Sequence, residues 1–305
     1  MVKVKVLYKA SSLVYDVSAE TTVGQLKGLI EKEKKLPVIQ QQLFLKKEDK
    51  EKKTVLADSE LLVDHQPLTG SDGIVINLKN LGRQVEYQNL FYLEYLLPLI
   101  TFPICLAVFH ERINSYYLLI TALTIVHFGK RELETKFVHI FSNASVPWTN
   151  AWRNLFHYWL LFGIAVPVEI YLFREMELSY SVPVIALLST LFLLFELLNL
   201  YCHYQLRLLR FETVNGKTVM TKKRKVPRGL FFNSIMCPNY TFEILSWIVF
   251  TVLFLSYTAV VFTVFGATIM YMWAVKKKSI MLKSDKFTDE EKRDVKRRGA
   301  VTPWF

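Results

Sequence analysis

Cys237-Pro-Asn-Tyr-Thr-Phe-Glu243-Ile-Leu-Ser-Trp247 opens an apolar run that continues to Val275. An amide, a phenol and a carboxylate therefore stand where a membrane helix begins. Such groups cost several kcal/mol each to take into hydrocarbon, so they face a protein interior or an aqueous cavity and mark a functional site. The apolar part, 244–275, is about 32 residues, roughly 48 Å as one helix, against a hydrocarbon layer about 30 Å thick. It predicts two short spans, 244–257 and 258–275, that turn near 256–258.

Working backwards, four more apolar blocks occupy about 90–109, 116–128, 155–173 and 182–201. The second is short for a span and lengthens to 115–129, a length suited to a thin membrane or to protein neighbours. With 52% hydrophobic and 14% aromatic residues among 305, the chain reads as an α-helical membrane protein of about six transmembrane helices. The first eighty residues are charged and soluble-looking, and the boundary falls near Leu81-Gly82-Arg83, which predicts domains 1–80 and 81–305.

Orientation follows from the cations near the span ends. The connection from Arg207 to Arg228 carries Arg207, Arg210, Lys217, Lys222, Lys223, Arg224, Lys225 and Arg228 against the single acid Glu212, whereas 110–114 and 174–181 are short and nearly neutral. The basic side is expected to be cytosolic, with both termini on it. The net charge of +11 then reflects topology, and no nucleic acid is needed to explain it. Met1-Val-Lys-Val-Lys-Val-Leu alternates as a strand does and lacks the apolar core of a secretory signal. Cys105, Cys202 and Cys237 all lie at or within apolar segments, which predicts neither a disulfide framework nor a zinc site. Two sequons, Asn143-Ala-Ser145 and Asn239-Tyr-Thr241, fall on the cytosolic side of this topology and are expected to stay unglycosylated.

In the N-terminal region, Val2, Val4 and Val6 alternate with lysines, and Leu13, Tyr15 and Val17 repeat the period, so 1–18 predicts a β-hairpin. A helix follows, capped by Thr21 or Thr22 and carrying Val23, Leu26, Leu29 and Ile30 at helical spacing until Pro37. Gln42-Leu-Phe-Leu45 and Ile74-Val-Ile-Asn-Leu78 supply further strands. This β-β-α-β-β order resembles the β-grasp of ubiquitin over 1–79. The chain continues past it without a processed di-glycine tail, so a docking or regulatory role competes with a purely stabilising one.

Polar residues recur at the span ends on the basic side: Glu94-Tyr95, then His127-Phe-Gly-Lys130-Arg131-Glu-Leu-Glu134, then Asn199 and His203, and last Asn239, Tyr240 and Glu243. Asn199, His203, Arg207 and Arg210 are spaced by four, four and three, which places them along one helical face and suits a phosphate-bearing ligand. A snorkelling basic collar accounts for the arginines but not for a buried Asn199. There is no G-x-G-x-x-G, Walker loop or G-x-S-x-G, so a dinucleotide must be held by helices and basic loops. His127, His139, His157 and His203 show no metal-ligand spacing, and no metal is expected.

Val126-His-Phe-Gly-Lys-Arg-Glu-Leu-Glu-Thr-Lys-Phe-Val-His-Ile-Phe-Ser142, Asn199-x-x-x-His203, Lys225-Val-Pro227-x-Gly-Leu-Phe and Cys237-Pro-Asn-Tyr-Thr-x-Glu243-x-x-x-Trp247 together resemble the very-long-chain trans-2-enoyl-CoA reductases of the steroid 5α-reductase superfamily. The resemblance covers essentially the whole chain. It implies NADPH-dependent reduction of the C2–C3 double bond of a long-chain trans-2-enoyl-CoA, the last step of a fatty-acid elongation cycle, in the endoplasmic reticulum membrane beside membrane lipid and the other elongation enzymes. It also implies catalytic Tyr240 as proton donor, with Lys130 to support the phenol, steady an enolate or bind phosphate. Around NADPH it implies Asn199, Arg207, Arg210, Lys225 and Asn239, with His203 beside them. Glu94, Arg131, Glu134 and Glu243 are expected to contact substrate or support the site. The chain departs from the family at Phe128, where relatives often carry tyrosine, and at Lys276-Lys-Lys-Ser279, where they carry histidine and arginine, so no tail residue is carried over to the cofactor. Steroid enone reduction, methyl transfer and a non-catalytic scaffold are the competing readings; a scaffold does not require Lys130, Asn199, Asn239 and Tyr240 together.

Overall fold

The computed structural model describes residues 1–46, 53–65, 73–141, 144–214, 216–221 and 224–303. Ser142 and Asn143 of the motif and sequon, the basic pair Lys222-Lys223 and the closing Trp304-Phe305 lie outside the described residues. The chain divides into two compact units, Met1–Tyr87 with Asn143–Ala151, and Gln88–Ser142 with Trp152–Phe305.

In the first unit, β1 (Val2–Tyr8) and β2 (Ser11–Val17) form an antiparallel hairpin, because alternating valines can bury one face while the intervening lysines stay wet. The helix α1 (Val23–Lys34) begins at Thr22, whose hydroxyl accepts from Gln25 N while the Gln25 side chain accepts from Thr22 N. Strands β3 (Gln41–Lys46), β4 (Lys53–Val55) and β5 (Ile74–Asn80) complete a sheet ordered β2-β1-β5-β3-β4, with β1 and β5 parallel. Val4, Val6, Val23, Leu26, Ile30, Leu43 and Ile76 are fully buried between sheet and helix. Gly73 enters β5 at φ 125°, where an added Cβ would stand 2.3 Å from the Lys3 carbonyl oxygen, so only glycine lets the parallel pair close. The unit ends at Tyr87 rather than at 80–81 because β6 (Gln84–Glu86) pairs with β7 (Ser145–Pro147) and draws that later segment into it.

The rest is helical: α2 (Tyr87–Val108), α3 (Ser115–Phe137), a continuous helix Trp148–Phe173, α6 (Val182–Leu208), α7 (Pro238–Phe254), α8 (Tyr257–Lys283) and α9 (Asp289–Arg297). The continuous helix joins α4 (Trp148–Leu155) and α5 (Ala165–Val168) through π-helical stretches at Phe156–Ile164 and Glu169–Phe173. A small hairpin, β8 (Phe211–Val214) and β9 (Lys217–Met220), follows α6. Among the described residues four helices, Tyr87–Val108, Trp148–Phe173, Val182–Leu208 and Tyr257–Lys283, are long and apolar enough to cross a membrane, and α7 is a shorter apolar helix; this is a multi-pass membrane protein.

Three boundaries differ from the sequence expectation; two move polar residues onto helices and one leaves a cation off its helix. α3 runs to Phe137 instead of stopping near 129, because Lys130 and Arg131 each pair with Glu134 one turn on. α7 starts at Pro238 rather than 244, so Asn239, Tyr240 and Glu243 occupy its first two turns. α6 ends at Leu208, which leaves Arg210 beyond the helix and off the expected stripe. Between α7 and α8 the chain turns at Leu255, φ 49°, and Ser256 caps α8 by accepting from Ala259 N. Phe128, Phe162, Trp247, Phe250 and Phe262 interlock as the core of this unit, which holds α3, α7 and α8 in the register that builds the site.

Candidate active site

Lys130, Arg131 and Glu134 on α3, Glu196, Asn199 and His203 on α6, and Asn239 and Glu243 on α7 converge on one buried network. The Lys130 ammonium donates to Asn199 Oδ1 at 2.6 Å and lies 2.7 Å from Glu196 Oε2 and 3.5 Å from Glu134 Oε1. Arg131 donates to Glu134 Oε2 at 2.6 Å through Nη1 and to the Tyr95 hydroxyl at 2.8 Å through Nη2. His203 Nδ1 stands 3.0 Å from the same Glu134 oxygen; with the proton on Nδ1, its Nε2 accepts from Asn239 Nδ2 at 3.4 Å. Asn199 Nδ2 donates to the Asn239 carbonyl at 2.8 Å, which ties α6 to the first turn of α7. The His127 ring bridges two carboxylates, Glu196 Oε1 at 2.9 Å and Glu243 Oε1 at 3.5 Å. Glu94 Oε1 accepts from Asn154 Nδ2 at 2.8 Å. Lys130, Arg131, Glu134 and Glu196 can be buried together because each of these charges has a partner of opposite sign.

Glu134, His139 and His203 bring possible metal-ligand atoms within 4.8 Å of one another. Arg131 Nη1 sits among them, 2.6 Å from the Glu134 carboxylate and 3.3 Å from His203 Nδ1, so a cation is already in place and a second would be repelled. The donor set is an ion network rather than a metal centre. His139, just past the end of α3, packs edge-on to Phe91, Phe141 and His203, and its pKa is lowered to about 2, first by burial and then by Arg131 and His203.

Asn239 also faces a cleft of ≈ 250 Å³, whose wall carries Arg210, Arg224, Lys225 and Lys277 along with Cys237. Lys225 is 3.1 Å from Glu212 Oε1. Burial raises the Cys237 thiol, and the nearby Lys277 opposes that rise. Tyr240 is half-buried beside this cleft, and its hydroxyl accepts from Lys277 Nζ at 2.9 Å while the same ammonium lies 4.6 Å from the ring centroid. The cation that reaches Tyr240 is therefore Lys277. Lys130 is committed to Glu196 and Asn199. Arg207 points away from the cleft and donates to the Val138 carbonyl at 3.2 Å, with its guanidinium over Phe211.

The C-terminal tail locks the start of α7. Met236 N donates to Gly299 O at 2.9 Å, Cys237 N to Ala300 O at 3.1 Å, and Thr241 Oγ1 to Val301 O. Arg298, only 2% exposed, donates to the Pro227 carbonyl at 2.6 Å and pairs with Asp294.

Sequence reasoning misses Glu196, 2% exposed and central to the network, although it lies three residues before Asn199 and seven before His203 on the same helical face. An acid inside an apolar span is the signal that could have found it. Lys277 and Arg224 offer none beyond a general surplus of cations.

Residues 144–304 match the family model described as 3-oxo-5-alpha-steroid 4-dehydrogenase. A protein of Dictyostelium discoideum described as "Very-long-chain enoyl-CoA reductase" is 32% identical, over 91% of this chain and 92% of its own length. A Caenorhabditis elegans protein, "Probable very-long-chain enoyl-CoA reductase art-1", is 30% identical over 94% and 92%. With the match running through both the buried network and the cation-lined cleft, the chain belongs to the very-long-chain enoyl-CoA reductase family, within the 3-oxo-5-alpha-steroid 4-dehydrogenase superfamily.

Proposed function

We propose that the protein is an oxidoreductase that reduces the C2–C3 double bond of a long-chain trans-2-enoyl-CoA with NADPH. The observation that carries this reading is the Tyr240 hydroxyl, held at 2.9 Å by the Lys277 ammonium, which is itself one of four cations in the wall of the neighbouring cleft. Arg210, Arg224, Lys225 and Lys277 fit a phosphorylated nucleotide, and the extra phosphate of NADPH over NADH suits their number. Asn239, which lines the cleft, bonds the ligand in this reading, while Asn199 and His203 hold Asn239 itself. NADPH, when bound, supplies a hydride to C3 of the enoyl group.

The chain's own residues do the remainder. Lys277 donates to the Tyr240 oxygen, so the phenolic proton is directed away from the ammonium and toward the cleft. Tyr240 delivers that proton to C2, and Lys277 stabilises the phenolate left behind. Lys130, Glu196, Arg131 and Glu134 form the rigid base beneath Asn239 rather than a reacting group. Glu243, through His127 and Glu196, belongs to the same base.

In this reading α2, α3, the Trp148–Phe173 helix, α6, α7 and α8 are six spans of the endoplasmic reticulum membrane, with both termini cytosolic. The sheet order β2-β1-β5-β3-β4 around α1 supports a ubiquitin-like β-grasp for the first unit, which would serve to dock partner enzymes of the elongation cycle. Glycan on Asn143 or Asn239 would overturn the orientation. The activity is tested by NADPH oxidation in purified protein with a long-chain trans-2-enoyl-CoA, and with a steroid enone for comparison. Oxidation with the thioester alone supports the reading; oxidation with the steroid alone overturns it.

A further inference from the structure

The proposed reaction has two phosphate-rich ligands, a nicotinamide nucleotide and a CoA thioester, and the cleft beside Tyr240 accounts for one of them. A second basin, of ≈ 470 Å³, is lined by Arg228, Asn233, Glu290, Arg293, Asp294 and Arg297. We propose that this basin binds the 3′-phosphorylated adenosine diphosphate end of CoA, an inference that rests on the enoyl-CoA reading above.

The charges support that assignment. Arg293 and Arg297 are exposed and four residues apart on α9, so they share a face, and neither has a carboxylate within ion-pair distance among the described residues. Asp294 does not cancel them, because it is paired with the buried Arg298 and lies 3.9 Å from Arg228. Asn233, which lines the basin, has its Oδ1 accepting from Gly229 N at 3.1 Å, so its amide N–H groups are the ones to offer a phosphate. Glu290 has no ion-pair partner among the described residues and offers an acceptor to the adenine amino group. Three arginines with bidentate reach suit the separated phosphates of CoA better than lysines would.

Position supports it too. Pro227 lines the cleft, its neighbour Arg228 lines the basin, and Arg298 clamps the wall between them by holding the Pro227 carbonyl and Asp294 together. A CoA anchored in the basin would have its pantetheine arm next to the wall it shares with the cleft of Asn239 and Lys277, the lysine that holds Tyr240. A phosphate-bearing lipid headgroup shares the same recognition chemistry, so the test has to separate the two sources.

The test compares trans-2-hexadecenoyl-CoA with the same acyl group on pantetheine, using full-length protein in neutral detergent and NADPH. In Arg293→Ala/Arg297→Ala, KM for the CoA thioester is expected to rise about tenfold or more, and the preference for CoA over pantetheine to fall by the same factor. KM for NADPH is expected to stay the same, and Arg293→Lys/Arg297→Lys to keep part of the preference. Equal loss with both thioesters, a rise in KM for NADPH instead, or no change in a folded variant overturns the assignment. So does an effect seen only in vesicles containing phosphatidylserine, which would make the basin a headgroup site. Should the unaltered protein reduce neither thioester, the reading of the reaction fails. The basin is then judged by titration: tighter binding of CoA than of dephospho-CoA, lost in the alanine variant, keeps it, and equal binding removes it.

Discussion

Among the carboxylates buried on helices of the second unit, Glu169 and Glu196 are satisfied in opposite ways. Glu169 accepts from Tyr257 N at 3.0 Å, Thr258 N at 2.8 Å, Ser256 Oγ at 2.8 Å and Arg174 Nη1 at 2.9 Å. Nearly all of its donors come from the first turn of α8, so the carboxylate completes a helix N-terminus and closes the α7–α8 turn. Glu196 instead meets two side chains one turn apart on another helix, His127 and Lys130 of α3, and through Lys130 the network reaches Asn199, Asn239 and the cleft. A carboxylate whose donors are backbone amides of one turn is a structural cap. One that holds a cation, which in turn holds a residue facing a ligand cleft, prepares a site.

That contrast can be broken experimentally. The largest effect is expected at the cleft itself: Tyr240→Phe should lower turnover by about a hundredfold or more, with unchanged thermal unfolding and cofactor binding. A near-normal rate in the folded variant would remove Tyr240 from the chemistry. Lys277→Met should lower turnover less and increase the solvent isotope effect, because the proposed proton donor loses its partner but not its proton.

Next comes the network. Lys130→Met leaves Glu196 and Glu134 facing each other without their shared cation, and should cost about 3–5 kcal/mol of stability along with activity. Adding Glu196→Gln to it should restore part of the unfolding temperature, as coupled partners require. Strictly additive effects would show that the two do not act together.

At the cap, Glu169→Ala should cost about 1–3 kcal/mol, measured as a lower unfolding temperature, because several buried donors lose one acceptor. Activity per folded molecule should stay the same. A changed KM in the stable fraction would mean the turn between α7 and α8 communicates with the site, and the distinction between the carboxylates would fall.

The effect confined to low pH, and the smallest near neutrality, concerns acid. His139 has its folded value lowered to about 2 from an ordinary 6.5, so below about pH 6.5 the unfolded chain binds a proton that the folded one refuses. Stability is then lost as pH falls through that window, by at most about 1.4 kcal/mol per pH unit from this residue. His139→Phe, packed among Phe91 and Phe141, should flatten the acid limb of stability against pH. An unchanged limb would show that other groups set it.

Much of this architecture is legible in the amino-acid sequence. Alternating Val2, Val4 and Val6 show their hairpin because a two-residue period has one reading, and Thr22 ahead of an apolar helical repeat shows its cap. Asn239 and Tyr240 stand out because polar groups are out of place at the mouth of an apolar helix. Glu196 satisfies the same rule, but the longer stripe from Asn199 to Arg210 on its helix is the stronger pattern and masks it. That stripe divides in three dimensions: Asn199 and His203 turn into the network, Arg207 goes to the Val138 carbonyl, and Arg210 falls past the helix end onto the cleft. Helical spacing names a face but not what the face meets. The tail's grip on Met236 and Cys237 has no signal at all, because backbone pairing between distant segments leaves no side-chain pattern.

By itself the sequence determined that apolar helices carry ionisable side chains on inward faces, since hydrocarbon supplies no hydrogen bonds and such groups must find partners within the protein. Only the tertiary structure decided which partners they find. Lys130 and Lys277 are both lysines near the basic border of a helix, yet one meets Glu196, 66 residues away, and the other Tyr240, 37 residues away. A lysine reaches only a few ångströms beyond its helix, so helix packing, and not residue type or spacing, assigns one to the base of the site and the other to the phenol at its mouth.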